Sequence, residues 1–541
     1  MSRFAGKRMS LKEMSHPAKK DVKTAIKPKP NKILDVGLFL RPNASSDELP
    51  KIEAFQDITK KSQLIISRKD FEKKQGANQN DVIIIKAFAK EFNLKVGEVQ
   101  MAERWIKLSG TIKSLEKAFG ISILEFKHDG KIYHYYQGII SIPEKLDKVI
   151  ECISGINNQP VLAKKVLATE FNVPGSTFKG EAVFPQNFAK YYDFPAQLDG
   201  SGQCIAILAF RGGFEEKHLD SYFKKIGVPK PDISTVELDG AKNQPTGGDD
   251  DFEAHMDLEI AGSLAPGAKI VVYFGQKSPM GVIRTLKAAI HDKNFNPGIV
   301  SISWGRLEKI VQQDLFSQDE IKTMNRILHE AAALNITVIT SSGDLGSSGG
   351  DPGLNIELPA SNPFVLAVGG SQLHLRNKVI DHEDVWSEKI NFKGKEYSLS
   401  SGGGFSELFE APDYQKDLVS GSLNPNGKRG IPDVAANAST SPGILLQVGD
   451  SEQISLGTSA AAPLWAALIA RINQHLESKG LPRAGFINPA LYHKELSKSF
   501  NEVLSGSNGE YKARSGWNPC TGLGTPNGNE LLERLTKVLE K

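Results

Sequence analysis

Two hydrophobic rhythms divide the chain. Between about Ile33 and Pro160 the segments ILDVGLFLRP and WIKLSGTI carry a strand-like pattern, and DVIIIKAFAKEF and TIKSLEKAFG carry the helical one. KIYHYYQGIISIP adds a further strand or hairpin. This order predicts a split β-α-β domain of ferredoxin-like type, in which no catalytic constellation is visible. From Cys204 onward the rhythm changes to short, wholly apolar runs ending in Gly or Ser: CIAILAF, KIVVYFG, GIVSISWG, ITVITSSG and FVLAVGG. Amphipathic stretches such as EEKHLDSYFKKI, MGVIRTLKAAIHD and DEIKTMNRILHEAAALN separate them. Strands apolar on both faces that alternate with helices predict an α/β fold, a mostly parallel sheet with helices on both faces. Active sites of such sheets lie at the C-terminal strand ends.

Between the two regions, residues 161–187 mix charge with Gly, Pro and Ser without periodicity, which reads as a linker and a plausible cleavage site. Residues 1–32 hold ten Lys/Arg against two Asp/Glu and almost no large apolar groups, so they are expected to be a disordered basic tail. The resulting division is tail 1–32, first domain 33–160, linker 161–187 and second domain 188–541. A length of 541 residues, 40% hydrophobic and 24% charged, suits a soluble protein of two or three domains. The net charge of +3 points to no nucleic-acid or other polyanionic partner, and the tail's charge run reads as solvated. No apolar run reaches the roughly 18 residues of a membrane span, and no Sec-type signal opens the chain. Cys152, Cys204 and Cys520 are odd in number and far apart, which argues against a disulfide scaffold or zinc site.

The candidate chemistry starts at SLGTSAAAPLWAALIARI, apolar nearly all round and therefore a buried helix, with Pro463 expected in its first turn. Ser459 then stands at the helix N-terminus, where unpaired amides and the helix dipole favour a developing oxyanion. An N-cap serine on a core helix is the bland alternative. Ser348 in GSSGG formally matches a nucleophile elbow, but DPGLN rather than a helix follows it.

Among candidate bases, His255 lies inside the acidic stretch GGDDDFEAHMDLEIAG, yet on a helix residues i and i+4 share a face and i+2 points away. Glu253 and Asp257 therefore align, and His255 does not join them. With an unperturbed pKa of about 4.3, Glu253 serves as base mainly in acid, and Asp257 would orient it and share its proton. Asp344, at the end of ITSSGDLG, is the third acidic candidate: a turn residue, or, if protonated, an oxyanion donor.

Together these motifs resemble the sedolisin family of serine-carboxyl peptidases, from about residue 33 over almost the whole chain. EAHMDLEIAGSLAPGAKIVVYF is similar to the segment with the family's catalytic Glu and Asp, GTSAAAPLWAALIARINQ to its nucleophile segment, and SSGDLGS to its oxyanion-aspartate segment. The resemblance implies a subtilisin-like fold in which Glu253, Asp257, Asp344 and Ser459 are catalytic and residues 33–160 are a ferredoxin-like propeptide. SISWG and SGGGFS resemble cleft-lining segments, which assigns Trp304 and Gly403 to the substrate cleft; Glu357 stands where an acidic specificity-pocket residue is expected. Where the resembled pattern has a further glutamate behind the catalytic one, this chain has Ala209. The resemblance also implies one calcium ion (Ca2+), held by Glu502, Val503, Arg514, Gly516 and Asn518. Here the pattern departs, since Glu502 and Asn518 stand where aspartates are expected and one formal charge is lost.

The expected protein is a zymogen of an acid-active endopeptidase that acts through an acyl-enzyme on protein or peptide substrates. Its own propeptide is the intramolecular inhibitor, the mature chain starts near Phe178, and the enzyme is a monomer, secreted and without a membrane anchor. The alternatives are a catalytically silent relative that acts as a binding or regulatory module, and an acyl hydrolase using Ser348.

Overall fold

The computed structural model describes residues 4, 6–11, 25–43, 49–128, 131–160, 182–311, 316–377, 379–392, 395–419 and 423–541. In the N-terminal domain the strands Ile33–Leu40, Lys95–Gln100, Trp105–Thr111 and Ile150–Ser154 form an antiparallel sheet, with Ile33–Leu40 between Trp105–Thr111 and Ile150–Ser154. The helices Gln79–Glu91 and Ile112–Phe119 complete the β-α-β-β-α-β order of the ferredoxin-like fold. Local chemistry sets their ends: the Asn78 side chain caps the first, and Thr111 and left-handed Gly120 bracket the second.

The tail departs from the disorder expected of it. Arg8–Ser10 pairs antiparallel with Ser141–Pro143, and Phe4 is buried with its ring 5.6 Å from that of Phe88. One aromatic and a three-residue edge pairing suffice, because Arg8 also donates to the Ala118 carbonyl. Residues 12–24 of the tail lie outside the described residues, as do 161–181 of the linker with the expected cleavage near Phe178. The linker ends earlier than its composition suggested. Ala182–Val183 pairs with Gly443–Ile444, and a helix begins at Pro185, whose fixed φ suits a first helical position.

The second domain is built on an eight-stranded sheet. Ile233–Glu237, Lys269–Phe274, Cys204–Ala209, Ile299–Ile302, Thr337–Ser341 and Leu366–Arg376 follow one another in parallel across it. Val434–Asn437 adds to Leu366–Arg376 in parallel, and Val379–Val385 adds to it antiparallel as an edge hairpin. The apolar runs of the sequence are these strands. Helices Phe252–Leu264 and Thr458–Ser478 are both packed into the core; all thirteen residues of the first are buried.

The N-terminal domain sits on helices Pro279–His291 and Gln318–Ala333 of the second domain. The contact is unusually charged for a buried surface. Arg104, fully buried, pairs with buried Glu330, whose other oxygen lies 2.8 Å from His291 Nε2. Arg284 reaches Glu98 and Glu103 and lies over the Trp105 ring, while buried Lys287 lies over Phe39. Ser154 donates to Glu320, His329 Nε2 meets the Pro50 carbonyl at 2.7 Å, and Arg68 donates to the carbonyls of Ile290 and Pro297.

Candidate active site

Four backbone elements converge at the C-terminal end of the parallel strands: the helix Phe252–Leu264, the loops after Ile299–Ile302 and Thr337–Ser341, and the start of the helix Thr458–Ser478. Glu253 and Asp257 lie one turn apart on the first helix and are 3% and 1% exposed. His255, between them, turns away and pairs instead with Glu259 through Nδ1 at 3.2 Å. Glu259 also accepts the Gln447 amide; burial pushes its carboxyl up to about 7.

Asp257 Oδ1 accepts the hydroxyl of Ser303 at 2.8 Å, and the same hydroxyl lies 3.3 Å from the Ser459 carbonyl. In return Ser459 Oγ donates to the Ser303 carbonyl at 3.2 Å. The loop residue Ser303 thus bridges the acidic helix and the serine helix. Pro463 explains why the Ser459 carbonyl is open to it. Residue 463 would normally donate its amide to carbonyl 459, and proline has none. The proline stands in the second turn, not in the first as expected, so the open carbonyl falls on the serine itself.

Asp344 is fixed by the residue before the serine. Its Oδ1 accepts both the amide and the hydroxyl of Thr458, each at 2.8 Å, which satisfies one of the helix's unpaired N–H groups. Gly457 makes the approach possible: it has φ +94°, and a Cβ there would lie 2.7 Å from Asp344 Oδ2. The Ser459 amide belongs to the same first turn, whose amides lack acceptors within the helix.

Around this centre stand the expected cleft residues. Trp304 is buried with its ring edge-on to Phe210 at 5.9 Å, and its Nε1 has no hydrogen-bond partner among the described residues. The Glu357 carboxylate lies against the backbone of both strand ends: a Cβ on Gly305 would come within 2.2 Å of Oε2, and one on Gly343 within 2.8 Å of Oε1. Gly403 tolerates no side chain, since a Cβ would meet the Pro519 carbonyl at 2.0 Å. Ala209 is buried at the end of its strand and brings no carboxylate behind Glu253. Ser348 lies in a short 3-10 turn followed by left-handed Gly349, with its hydroxyl turned onto the local backbone; no helix aims it at a base.

Sequence reasoning missed Ser303 and Thr458. Their types and positions beside Trp304 and Ser459 were visible, but their partners are 46 and 114 residues away in the chain.

The expected calcium ligands are a different matter. Glu502 accepts the Gly516 amide at 2.7 Å and the Ser515 hydroxyl at 3.0 Å. Asn518 Oδ1 takes the amides of Cys520 and Thr521, each at 3.0 Å, which turns Nδ2 onto the Arg514 carbonyl at 3.3 Å. Calcium needs converging oxygens, and here an N–H is directed at one of the carbonyls meant to bind it. Buried Val503 packs on Val385 and Cys520. The donor set does not fit the ion: with an aspartate at 518 the second oxygen would face inward, and asparagine puts a nitrogen there.

Comparison with known proteins gives the family. Residues 20–159 match the Pro-kumamolisin activation domain, and residues 242–493 match the subtilase family. Kumamolisin of Bacillus sp. (strain MN-32) is 36% identical over 520 residues, covering 93% of this chain and 91% of the relative. Tripeptidyl-peptidase 1 of Bos taurus is 28% identical, covering 73% and 71%. The solved structure of Pseudomonas sedolisin, a serine-carboxyl proteinase, superposes with a TM-score of 0.58 at 25% identity, over 66% of this chain and 98% of that one. With a kumamolisin-type propeptide ahead of a subtilisin-like domain, the chain belongs to the sedolisin family of serine-carboxyl peptidases.

Proposed function

We propose that the protein is the zymogen of an acid-active endopeptidase in which Ser459 is the nucleophile and Glu253 its base. The observation that carries this reading is the bridge from Asp257 through the Ser303 hydroxyl to Ser459, with Asp344 held on the neighbouring Thr458. In the full-length chain Ser459 Oγ donates to the Ser303 carbonyl, so attack begins with a rotation of this hydroxyl toward Glu253. Oγ then adds to the scissile carbonyl carbon as Glu253 takes its proton. The Ser459 amide and a protonated Asp344 hold the oxyanion. As the tetrahedral adduct collapses, Glu253 returns the proton to the departing amine; a water repeats the cycle on the acyl-enzyme. Asp257, held by Ser303, orients Glu253.

A glutamate base with the ordinary pKa of about 4.3 works only where it is ionised, whereas a carboxylic acid donor to the oxyanion needs its proton, so the reading confines activity to a window in acid. Action outside the cytoplasm or in an acidic compartment follows, and no helix among the described residues is long and apolar enough to cross a membrane. Glu357 beside Gly305 and Gly343 supports a preference for a basic substrate side chain; a cleavage profile without Arg or Lys enrichment would remove it. The propeptide spans residues 33–160, and processing falls in the segment that follows, near Phe178. Calcium has no part in this reading. The test is to bring the full-length chain to about pH 4, near the model carboxylate pKa, beside a Ser459→Ala control. Loss of the propeptide mass together with peptidase activity in the parent only is the expected result. An intact, inactive parent would favour a silent relative.

A further inference from the structure

We propose that the edge hairpin of the main sheet carries a site for a divalent transition-metal ion, with zinc the natural probe, built from His374, His382 and Asp384. The argument starts from register. His374 on Leu366–Arg376 faces His382 on Val379–Val385 directly across the antiparallel pair, and Asp384, two residues further along, shares the face of His382. The two imidazoles lie parallel within 9°, with centroids 4.3 Å apart. Asp384 Oδ2 lies 3.0 Å from His374 Nε2 and 3.9 Å from His382 Nε2. One ligand atom from each residue falls within 4.8 Å of the others.

A shell behind these atoms orients them. His382 Nδ1 is 3.0 Å from Asp381 Oδ2, and Asp381 is itself held by Arg376 Nε at 3.1 Å. A proton on Nδ1 directed at that carboxylate leaves the lone pair on Nε2, the arrangement in which a carboxylate fixes a histidine for a metal. The other oxygen of Asp384 is taken by the Ser505 hydroxyl, which leaves Oδ2 for the ion. Two imidazoles and one carboxylate suit Zn2+ or its first-row neighbours, with a position left for water, and do not suit the all-oxygen preference of calcium. All three side chains are partly exposed, so an ion has a path in. The bound ion would pin the hairpin to the segment at Ser505, whose carbonyl already accepts the Val385 amide.

The test is calorimetric titration of the chelator-treated full-length chain with Zn2+ at neutral pH, with Co2+ absorption as a second readout. One equivalent with micromolar affinity is expected. His374→Ala, His382→Ala and Asp384→Asn should each weaken it at least tenfold, and Asp381→Asn about tenfold through loss of orientation. The Co2+ bands of nitrogen and oxygen ligation should vanish in the His374→Ala/His382→Ala double variant. A parent that takes up no Zn2+ overturns the proposal, as does a folded double variant that binds it as tightly as the parent.

Discussion

Replacing Arg104 with leucine tests whether charge complementarity holds the propeptide on the enzyme. The Arg104 guanidinium donates to the carbonyls of Leu40 and Gln75, each at 3.1 Å, and to Glu330 across the interface. Leucine fills part of the volume and leaves a buried carboxylate without its guanidinium. Breaking a buried pair by deleting one partner costs about 3–5 kcal/mol. At about 1.4 kcal/mol per tenfold, that is roughly two to three and a half orders of magnitude in the ratio of seated to released propeptide. Glu330→Gln attacks the same contact from the other side and leaves the propeptide's own hydrogen bonds alone.

The pH dependence has a definite sign. Burial alone would raise the Glu330 carboxyl, but Arg104, Lys287 and His291 override it and hold it well below the carboxylate range. Its stabilisation is full above the ordinary pKa and is lost only as pH falls through the depressed value, so it survives mild acid. His291 behaves differently: burial above all, with Lys287 and Arg104 adding, lowers its pKa from 6.5 against the pull of Glu330. Its neutral form stabilises the closed state above pH 6.5, and that contribution is lost as pH falls from there toward the folded value. His329, buried against Pro50, adds to the same loss. Glu320 opposes it: burial raises it to about 7 against the hydrogen bond from Ser154, so acidification relieves the cost of a buried charge there and favours the closed state. Release in mild acid is therefore expected to draw on His291, which must charge beside Lys287 and Arg104, and on His329, which must charge beside Arg326. The assay is the mass of the full-length chain after fixed times at graded pH. Arg104→Leu and Glu330→Gln should both process at higher pH than the parent, with kcat/KM of the matured Arg104→Leu product unchanged. Processing at the parent's pH in both variants would refute the reasoning.

Ser303→Ala removes the donor to Asp257 and should lower kcat by about ten- to a hundredfold, the worth of a hydrogen bond to a charged group, in matured enzyme that still folds by circular dichroism. Asp344→Ala should cost about a hundred- to a thousandfold in kcat, as for an oxyanion donor. Asp344→Asn, whose amide can donate in place of the carboxyl, should recover part of that; no recovery would count against Asp344 as an oxyanion donor. Excess EGTA should leave the melting temperature and activity of the matured enzyme unchanged, and a fall of several degrees would show that the Glu502–Asn518 loop holds calcium after all.

The second domain was legible because strands such as CIAILAF and GIVSISWG are apolar on both faces and stop at Gly or Ser, a pattern that leaves few other folds. Glu253 and Asp257 could be paired, and His255 set aside, from helical spacing alone. What escaped depended on distance along the chain. Ser303 finds Asp257, and Thr458 finds Asp344, only after the sheet has brought separate strand ends together. The propeptide interface draws on Glu98, Glu103, Arg104, Arg284, Lys287, His291 and Glu330, whose spacing follows no period. Phe4 and Arg8 show the limit of composition: a segment too polar for its own core can still lend one ring and one guanidinium to another.

The helix that carries Glu253 and Asp257 has no solvent-facing side. A substitution anywhere along its thirteen residues must be absorbed by close-packed neighbours, so the acid pair cannot be adjusted piecemeal from its own element. Engineering of the substrate range has a freer route at Glu357, which lies outside that helix and is only half-buried. The scaffold thus sets the acidic pair in a fully buried element and leaves Glu357 outside it as the more accessible part of the site.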